Sequence, residues 1–237
     1  MTPSIILFDL DNTLYDYNSA HSVAIKEVKS KATNYFNIKP KEFDSFFLKA
    51  KKEVKKQLQS SAASHNRLLY FQKLFEIKGL GPQVYHALDF EQTYWNSFLI
   101  EMKLHDGVLE LLDQIRLKGI KCGLVTDLTA NIQFRKLIRL GLEDKFDVIT
   151  TSEEIGHDKP HPDCFRLTIN KILDTKDYKD ENIWMIGDDL EKDIKGAITN
   201  LEAQGFWYKG NKKDNMVKSN KKITVFDNFH TLITKLQ

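Results

Sequence analysis

Hydrophobic and polar positions change rhythm twice along the 237-residue chain. Ile5-Ile6-Leu7-Phe8 is a short unbroken apolar run, which predicts a buried strand over residues 5–9. From about residue 18 to 98 the apolar residues fall at helical spacing, as in Phe43/Phe46/Phe47, Leu68/Leu69/Phe71/Phe75 and Phe90/Tyr94/Trp95/Phe98. No strand is expected there. Residues 60–64 and Gly79-Leu80-Gly81-Pro82 read as breaks between helices. After Leu104-His105-Asp106-Gly107 the pattern alternates. Helices are predicted over 108–118, 131–140, 162–173 and 190–199, and strands over 120–125, 146–151, 183–187 and 205–208. A weak pair of segments follows at 224–226 and 231–236. Gly119 and Gly141 stand where left-handed helix stops belong, and Pro162 where a first turn tolerates proline. Strands separated by single helices imply an α/β fold with a doubly wound parallel sheet, and ligands bind such sheets at the carboxyl ends of the strands.

Composition narrows the picture without adding to it. A formal net charge of +2 gives no bulk field for nucleic acid or an anionic membrane. Two lysine clusters stand out: Lys49, Lys51, Lys52, Lys55 and Lys56, and Lys209, Lys212, Lys213, Lys218, Lys221 and Lys222. Neither has interleaved aromatics or arginines, so both read as solvated faces rather than nucleic-acid patches. The two cysteines, Cys122 and Cys164, have no metal-ligand spacing and read as inert thiols in a reducing compartment. No window approaches a membrane span and no leader pattern opens the chain, so a soluble, cytoplasmic protein is expected.

Chemistry is concentrated at predicted strand ends. The first strand runs into Asp9-Leu10-Asp11-Asn12-Thr13. Two carboxylates this close are costly to bury without a cation, and a hard divalent ion that keeps water for a phosphate suits them. The competing reading is a plain turn opened by aspartate. Gly123-Leu124-Val125-Thr126-Asp127 ends in a hydroxyl able to donate to a phosphate oxygen, although Thr126 serves equally well as a cap for the helix that follows. In Gly156-His157-Asp158-Lys159-Pro160, the proline holds Lys159 extended, directing one ammonium at a phosphate or a nucleophilic carboxylate. His157 and His161 read as loop residues. A second buried strand ends in Gly187-Asp188-Asp189, with Asp193 beyond it. Asp188 is placed to share the cation of Asp9 and Asp11, whereas Asp189 and Asp193 are equally suited to a helix N-terminus.

In this order and spacing the four segments resemble the haloacid dehalogenase superfamily of phosphohydrolases. The resemblance spans nearly the whole chain and implies a three-layer, Rossmann-like core of residues 1–16 and 100–237. An all-helical cap domain of residues 17–99 is inserted after the first strand. It further implies that Asp9 is the nucleophile, forming an aspartyl-phosphate, and that Asp11 is the general acid and base. Mg²⁺ would be held by Asp9, by the backbone carbonyl of Asp11 and by Asp188, with Asp189 and Asp193 in support. Thr126, Asp127 and Lys159 are assigned to the phosphoryl group and substrate. Asp127 departs from the family pattern, where asparagine is common, and an extra carboxylate there would repel a dianion unless turned away.

The substrate expected is a small phosphorylated metabolite, first a nucleoside monophosphate and otherwise a sugar phosphate, with Tyr70, Phe71, Tyr94 and Trp95 as candidates to stack on a base or sugar. Helix packing is the favoured role of Phe71 and Trp95, and Tyr15, Asp16 and Tyr17 read as hinge or pocket residues. A 2-haloacid dehalogenase is disfavoured by Asp11, and a phosphomutase by Asn12 where glycine is frequent. A non-catalytic binding protein is disfavoured by the intact set of polar residues. A monomer or homodimer is expected, with no nucleic-acid or membrane partner.

Overall fold

The computed structural model describes residues 2–173, 178–179, 181–210 and 221–236. Lys212, Lys213 and Lys218 of the second lysine cluster lie outside them. The chain forms two compact units, Met1–Asp16 with Lys103–Gln237, and Tyr17–Met102.

The first unit carries a six-stranded, all-parallel sheet in the order β3-β2-β1-β4-β5-β6, with helices on both faces. Its strands are β1 (Ile5–Phe8), β2 (Lys121–Thr126), β3 (Val148–Thr151), β4 (Ile183–Gly187), β5 (Gln204–Tyr208) and β6 (Ile223–Phe226). All four residues of β1 and all five of β4 are buried, as continuous apolar runs demand of strands covered on both faces. One core cluster gathers Ile5, Leu7, Val125, Phe165, Ile169, Met185, Ile194 and Trp207. Register fixes the functional geometry: Phe8 pairs with Leu124 of β2 on one side and Ile186 of β4 on the other. The chain therefore leaves β1, β2 and β4 at nearly one level, and the polar residues after each strand converge there.

Helices α5 (Val108–Leu117), α6 (Ala130–Leu140), α7 (Ser152–Ile155), α8 (Pro162–Leu173), α9 (Gly196–Leu201) and α10 (His230–Leu236) complete this unit. Gly141 ends α6 in the left-handed conformation, φ 68°, the use expected of it. The helix expected over 190–199 differs. It opens as a π-helical turn, Leu190–Lys195, before α9 begins. The wider turn coincides with Asp193 packed onto Gly187, where a Cβ would lie 2.5 Å from the Asp193 Cβ. Such turns are typical of functional sites.

The second unit is helical: α1 (Tyr17–Phe36), α2 (Pro40–Leu58), α3 (Arg67–Lys78) and α4 (Val84–Glu101), with a 3₁₀ turn at Ala62–His65. Its interior is aromatic. Phe71, Phe75, Phe90, Tyr94 and Phe98 are fully buried, and the Phe75 and Phe90 rings lie 5.2 Å apart. Lys31 of α1 bonds Asp89 of α4 at 2.7 Å. Lys49, Lys51, Lys52, Lys55 and Lys56 are exposed, as a solvated face requires. Among the described residues no helix is long and apolar enough to cross a membrane.

Candidate active site

Asp9 follows β1 directly, and its amide still bonds the Ile186 carbonyl at 2.9 Å, so the strand holds it in place. Its side chain is buried between two donors: Lys159 Nζ reaches Oδ1 at 2.6 Å and Thr13 Oγ1 donates to Oδ2 at 2.7 Å. Lys159 is itself buried and spends its ammonium on three acceptors, Asp9, Asp193 Oδ1 at 2.8 Å and the Val125 carbonyl at 2.9 Å. Burial pushes the Asp9 pKa well up; Lys159 opposes this, and the nearby Asp193 and Asp188 carboxylates reinforce it. For Lys159 burial favours the neutral amine, but Asp193 and Asp9 outweigh it and hold the group charged. Two buried carboxylates thus share one ammonium, in the added negative field of Asp188.

Carboxylate oxygens of Asp9, Asp188 and Asp193 all lie within 4.8 Å of one another. This all-oxygen, carboxylate-rich donor set fits a hard divalent cation such as Mg²⁺. Asn12, in the left-handed conformation at φ 68°, donates to Asp188 Oδ2 at 2.7 Å and orients it. Asp193, expected to support the metal, lies in this cluster with one oxygen on Lys159. Its other oxygen accepts the Asp189 amide at 3.0 Å. Asp189 caps the π-helical turn, accepting the Glu191 and Lys192 amides at 3.0 Å each, which is its local helix-end role.

The Asp11 side chain is not part of that cluster. Lys136 Nζ grips its two oxygens at 2.6 and 2.8 Å, Tyr15 donates a short hydrogen bond, and Gln133 approaches at 3.3 Å. Burial pushes the Asp11 pKa up, but Lys136, Tyr15 and Gln133 together hold it below the ordinary carboxylate value. Gln133 also donates to Thr126 Oγ1 at 2.5 Å, tying the end of β2 to the same network. Thr126 does not cap α6; Thr129 occupies that position.

Asp127, expected to bind substrate, has its side chain engaged on both oxygens. One carboxylate oxygen accepts the Lys159 amide at 2.9 Å, and the other pairs with Lys192 Nζ at 2.9 Å. Its charge is met by Lys192, and its other oxygen ties the end of β2 to the loop that carries Lys159. His157 and His161 stack on each other at 4.4 Å. Cys122 and Cys164 are buried free thiols with pKa values raised by burial, that of Cys164 to about 12, as inert cysteines should be.

Sequence reasoning missed Gln133, Lys136 and Lys192. The first two carried a signal, since they lie among Ile132, Leu137 and Leu140 on the buried face of α6. A lysine and a glutamine on an apolar stripe require buried partners. Lys192 carried none, because its partner Asp127 is distant in the chain and exposed lysines are common.

Several known proteins resemble this chain. A ribulose-1,5-bisphosphate 5-phosphatase from Halopiger xanaduensis is 36% identical over 193 residues, covering 81% of this chain and 79% of its own. A glyceraldehyde 3-phosphate phosphatase from Methanopyrus kandleri is 30% identical over 192 residues, covering 81% and 78%. The fold also matches a crystal structure of the hydrolase YfnB from Bacillus subtilis bound to magnesium, with TM-score 0.72 and 19% identity over 100% of this chain and 99% of that one. The sequence model of the haloacid dehalogenase-like hydrolases matches residues 6–200, and the chain belongs to that family.

Proposed function

We propose that the protein is a Mg²⁺-dependent phosphatase of small sugar phosphates, working through an aspartyl-phosphate on Asp9. The observation that carries this reading is the placement of Asp9. It is buried at the end of the central strand, held by Lys159 and Thr13, beside the carboxylates of Asp188 and Asp193. A bound Mg²⁺ would be held by Asp9 and Asp188, with Asp193 adjoining and the Asp11 backbone carbonyl as the further expected donor, and would offset negative charge between carboxylate and phosphate.

The residues then divide the work. Asp9 attacks phosphorus and the phosphorus–oxygen bond to the leaving alcohol breaks. Thr126 binds a transferring phosphoryl oxygen, and Lys159 joins it by giving up one of its three present acceptors. Asp11, held ionised by Lys136, is ready to accept a proton from the water that hydrolyses the aspartyl-phosphate. To protonate the leaving alcohol, Asp11 first takes up a proton from solvent, which loosens its bond to Lys136; giving that proton to the alcohol returns it to the carboxylate that serves the water step. The Asp127 side chain and Lys192 hold the Lys159 loop.

Sugar phosphates are preferred over nucleotides for two reasons. The relatives above are named for ribulose bisphosphate and glyceraldehyde phosphate. Tyr70, Phe71, Tyr94 and Trp95, the expected base-stacking residues, are all buried in the helical unit and engaged in its packing. The test is phosphate release from a panel of sugar phosphates, short acid phosphates and nucleotides, with Mg²⁺ and then with chelator. Chelator-sensitive release from sugar phosphates is expected, and silence across the panel from folded protein overturns the reading. Asp9→Asn should lose turnover by several orders of magnitude while keeping its fold; retained turnover means another group is the nucleophile.

A further inference from the structure

Gln133 sits where three parts of the catalytic unit meet. It lies on α6, is fully buried, and its Nε2 donates to Thr126 Oγ1 at 2.5 Å, to the Asp127 carbonyl at 2.7 Å and to Asp11 Oδ2 at 3.3 Å. Its Oε1 is buried with no hydrogen-bond partner. Turning the amide over would exchange its two ends, but the surroundings forbid it. The Asp127 carbonyl can only accept, and so can the Asp11 carboxylate, which Lys136 already grips on both oxygens. Nitrogen must face them. An orphaned buried acceptor is destabilising, so the bonds made by the nitrogen outweigh what the oxygen loses.

The consequence falls on Thr126. A hydroxyl has one proton to give and lone pairs that accept. Gln133 occupies the accepting side of Thr126, so the proton points elsewhere. Among the described residues that proton reaches only the Asp127 carbonyl, at a long 3.4 Å. The same carbonyl already takes the Gln133 amide at 2.7 Å. One amide therefore fixes Thr126 as a donor and satisfies the acceptor that competes for its proton. A phosphoryl oxygen only accepts, and a donor held in place beforehand need not turn when the charge arrives.

We propose that Gln133 is a positioning residue for phosphate, setting the direction of the Thr126 hydroxyl so that its proton is presented to the phosphoryl group. Gln133 acts only through Thr126. The inference rests on the phosphatase reading in one respect, that Thr126 is the hydroxyl at the phosphoryl group. Without the amide, Thr126 turns its proton onto the Asp127 carbonyl, and the phosphate loses a donor although the hydroxyl is still present.

The test is a double-mutant cycle on the full chain: wild type, Gln133→Met, Thr126→Val and the two combined. These changes nearly conserve volume while removing the amide and the hydroxyl. Two quantities are read with Mg²⁺ present: the dissociation constant of inorganic phosphate by calorimetry, and kcat and KM for p-nitrophenyl phosphate. Thr126→Val should weaken phosphate binding about 10-fold or more, the worth of one hydrogen bond to a charged group. Gln133→Met should produce most of the same loss, and the double variant should bind no worse than Thr126→Val. A glutamine that merely supports the fold gives losses that multiply. Gln133→Asn, whose amide ends one methylene short, carries the same expectation and serves if the methionine variant does not fold. Multiplying losses, wild-type phosphate binding in Gln133→Met, or no phosphate binding by wild type overturns the proposal. Thr126→Val that binds phosphate as wild type does also overturns it, and ester turnover retained there leaves the phosphatase reading standing. Non-multiplying losses of phosphate binding in a protein that hydrolyses no ester keep the role of Gln133 and remove the phosphatase reading.

Discussion

Replacing Lys159 by methionine tests the electrostatic design of the site most directly. The ammonium lies 2.6 Å from Asp9 and 2.8 Å from Asp193, and all three side chains are almost fully buried. At an effective dielectric constant near 20, each contact is a gross attraction of about 6 kcal/mol. Removing the lysine forfeits both but also removes the cost of burying an ammonium. Deleting one partner of a buried pair therefore shows a net loss of about 3–5 kcal/mol. In metal-free protein the urea midpoint of Lys159→Met should fall by that amount, with the slope unchanged. Mg²⁺ should then matter more to the variant than to wild type. The freed carboxylates of Asp9 and Asp193 gain a stronger claim on a cation, and each tenfold gain in affinity adds about 1.4 kcal/mol of stabilisation at saturating metal. The assay is urea unfolding with and without 10 mM Mg²⁺. A loss below about 1 kcal/mol without metal, or equal Mg²⁺ stabilisation of both proteins, refutes the reasoning.

Three further outcomes follow from the geometry. Gly187→Ala places a methyl 2.5 Å from the Asp193 Cβ; overpacking should cost about 1–3 kcal/mol in chemical unfolding and reduce turnover by displacing Asp193. Lys136→Met leaves Asp11 without its ammonium. Because the Asp11 side chain is 26% exposed, water softens the loss to about 2–3 kcal/mol, and a variant as stable as wild type would mean the pair is idle. His21 has its pKa lowered from 6.5 to about 4, first by burial and then by Arg67. Above pH 6.5 both states are neutral there; as pH falls from 6.5 towards 4 only the unfolded chain takes up the proton, so stability declines. Allowing for partial exposure, the decline is about 1–2 kcal/mol, and His21→Asn should flatten that part of a denaturation series.

The strand-and-helix alternation was legible because buried parallel strands are short, unbroken and apolar, and because each functional segment begins where such a run stops. Ile5–Phe8 and Ile183–Gly187 carry both signals. Local pattern reports what a residue is, not what it meets. The side-chain partners of Asp127, the Lys159 amide and Lys192, were not legible because they lie far along the chain. The turn at Leu190–Lys195 read as ordinary helix because the reason for its extra width, the packing of Asp193 on Gly187, is tertiary. Tyr70 and Tyr94 read as stacking candidates because exposure is not written in residue type. The polar stripe of Gln133 and Lys136 was readable in principle from its phase on α6, and its partner Asp11 was not.

The position of β1 bears on how the molecule is assembled. This strand lies in the middle of the sheet, yet its partners begin at Lys121 and Ile183. Asp9 therefore gains its surroundings only after most of the chain exists, whereas the helical segment from Tyr17 to Met102 is contiguous and complete well before. Long-range parallel pairing of this kind is slow, and leaves an apolar strand waiting for neighbours. A nascent chain released before β4 should retain helical structure and can pair β1 with β2 and β3, but the edge of Ile5–Phe8 that meets β4 would stay open to other chains.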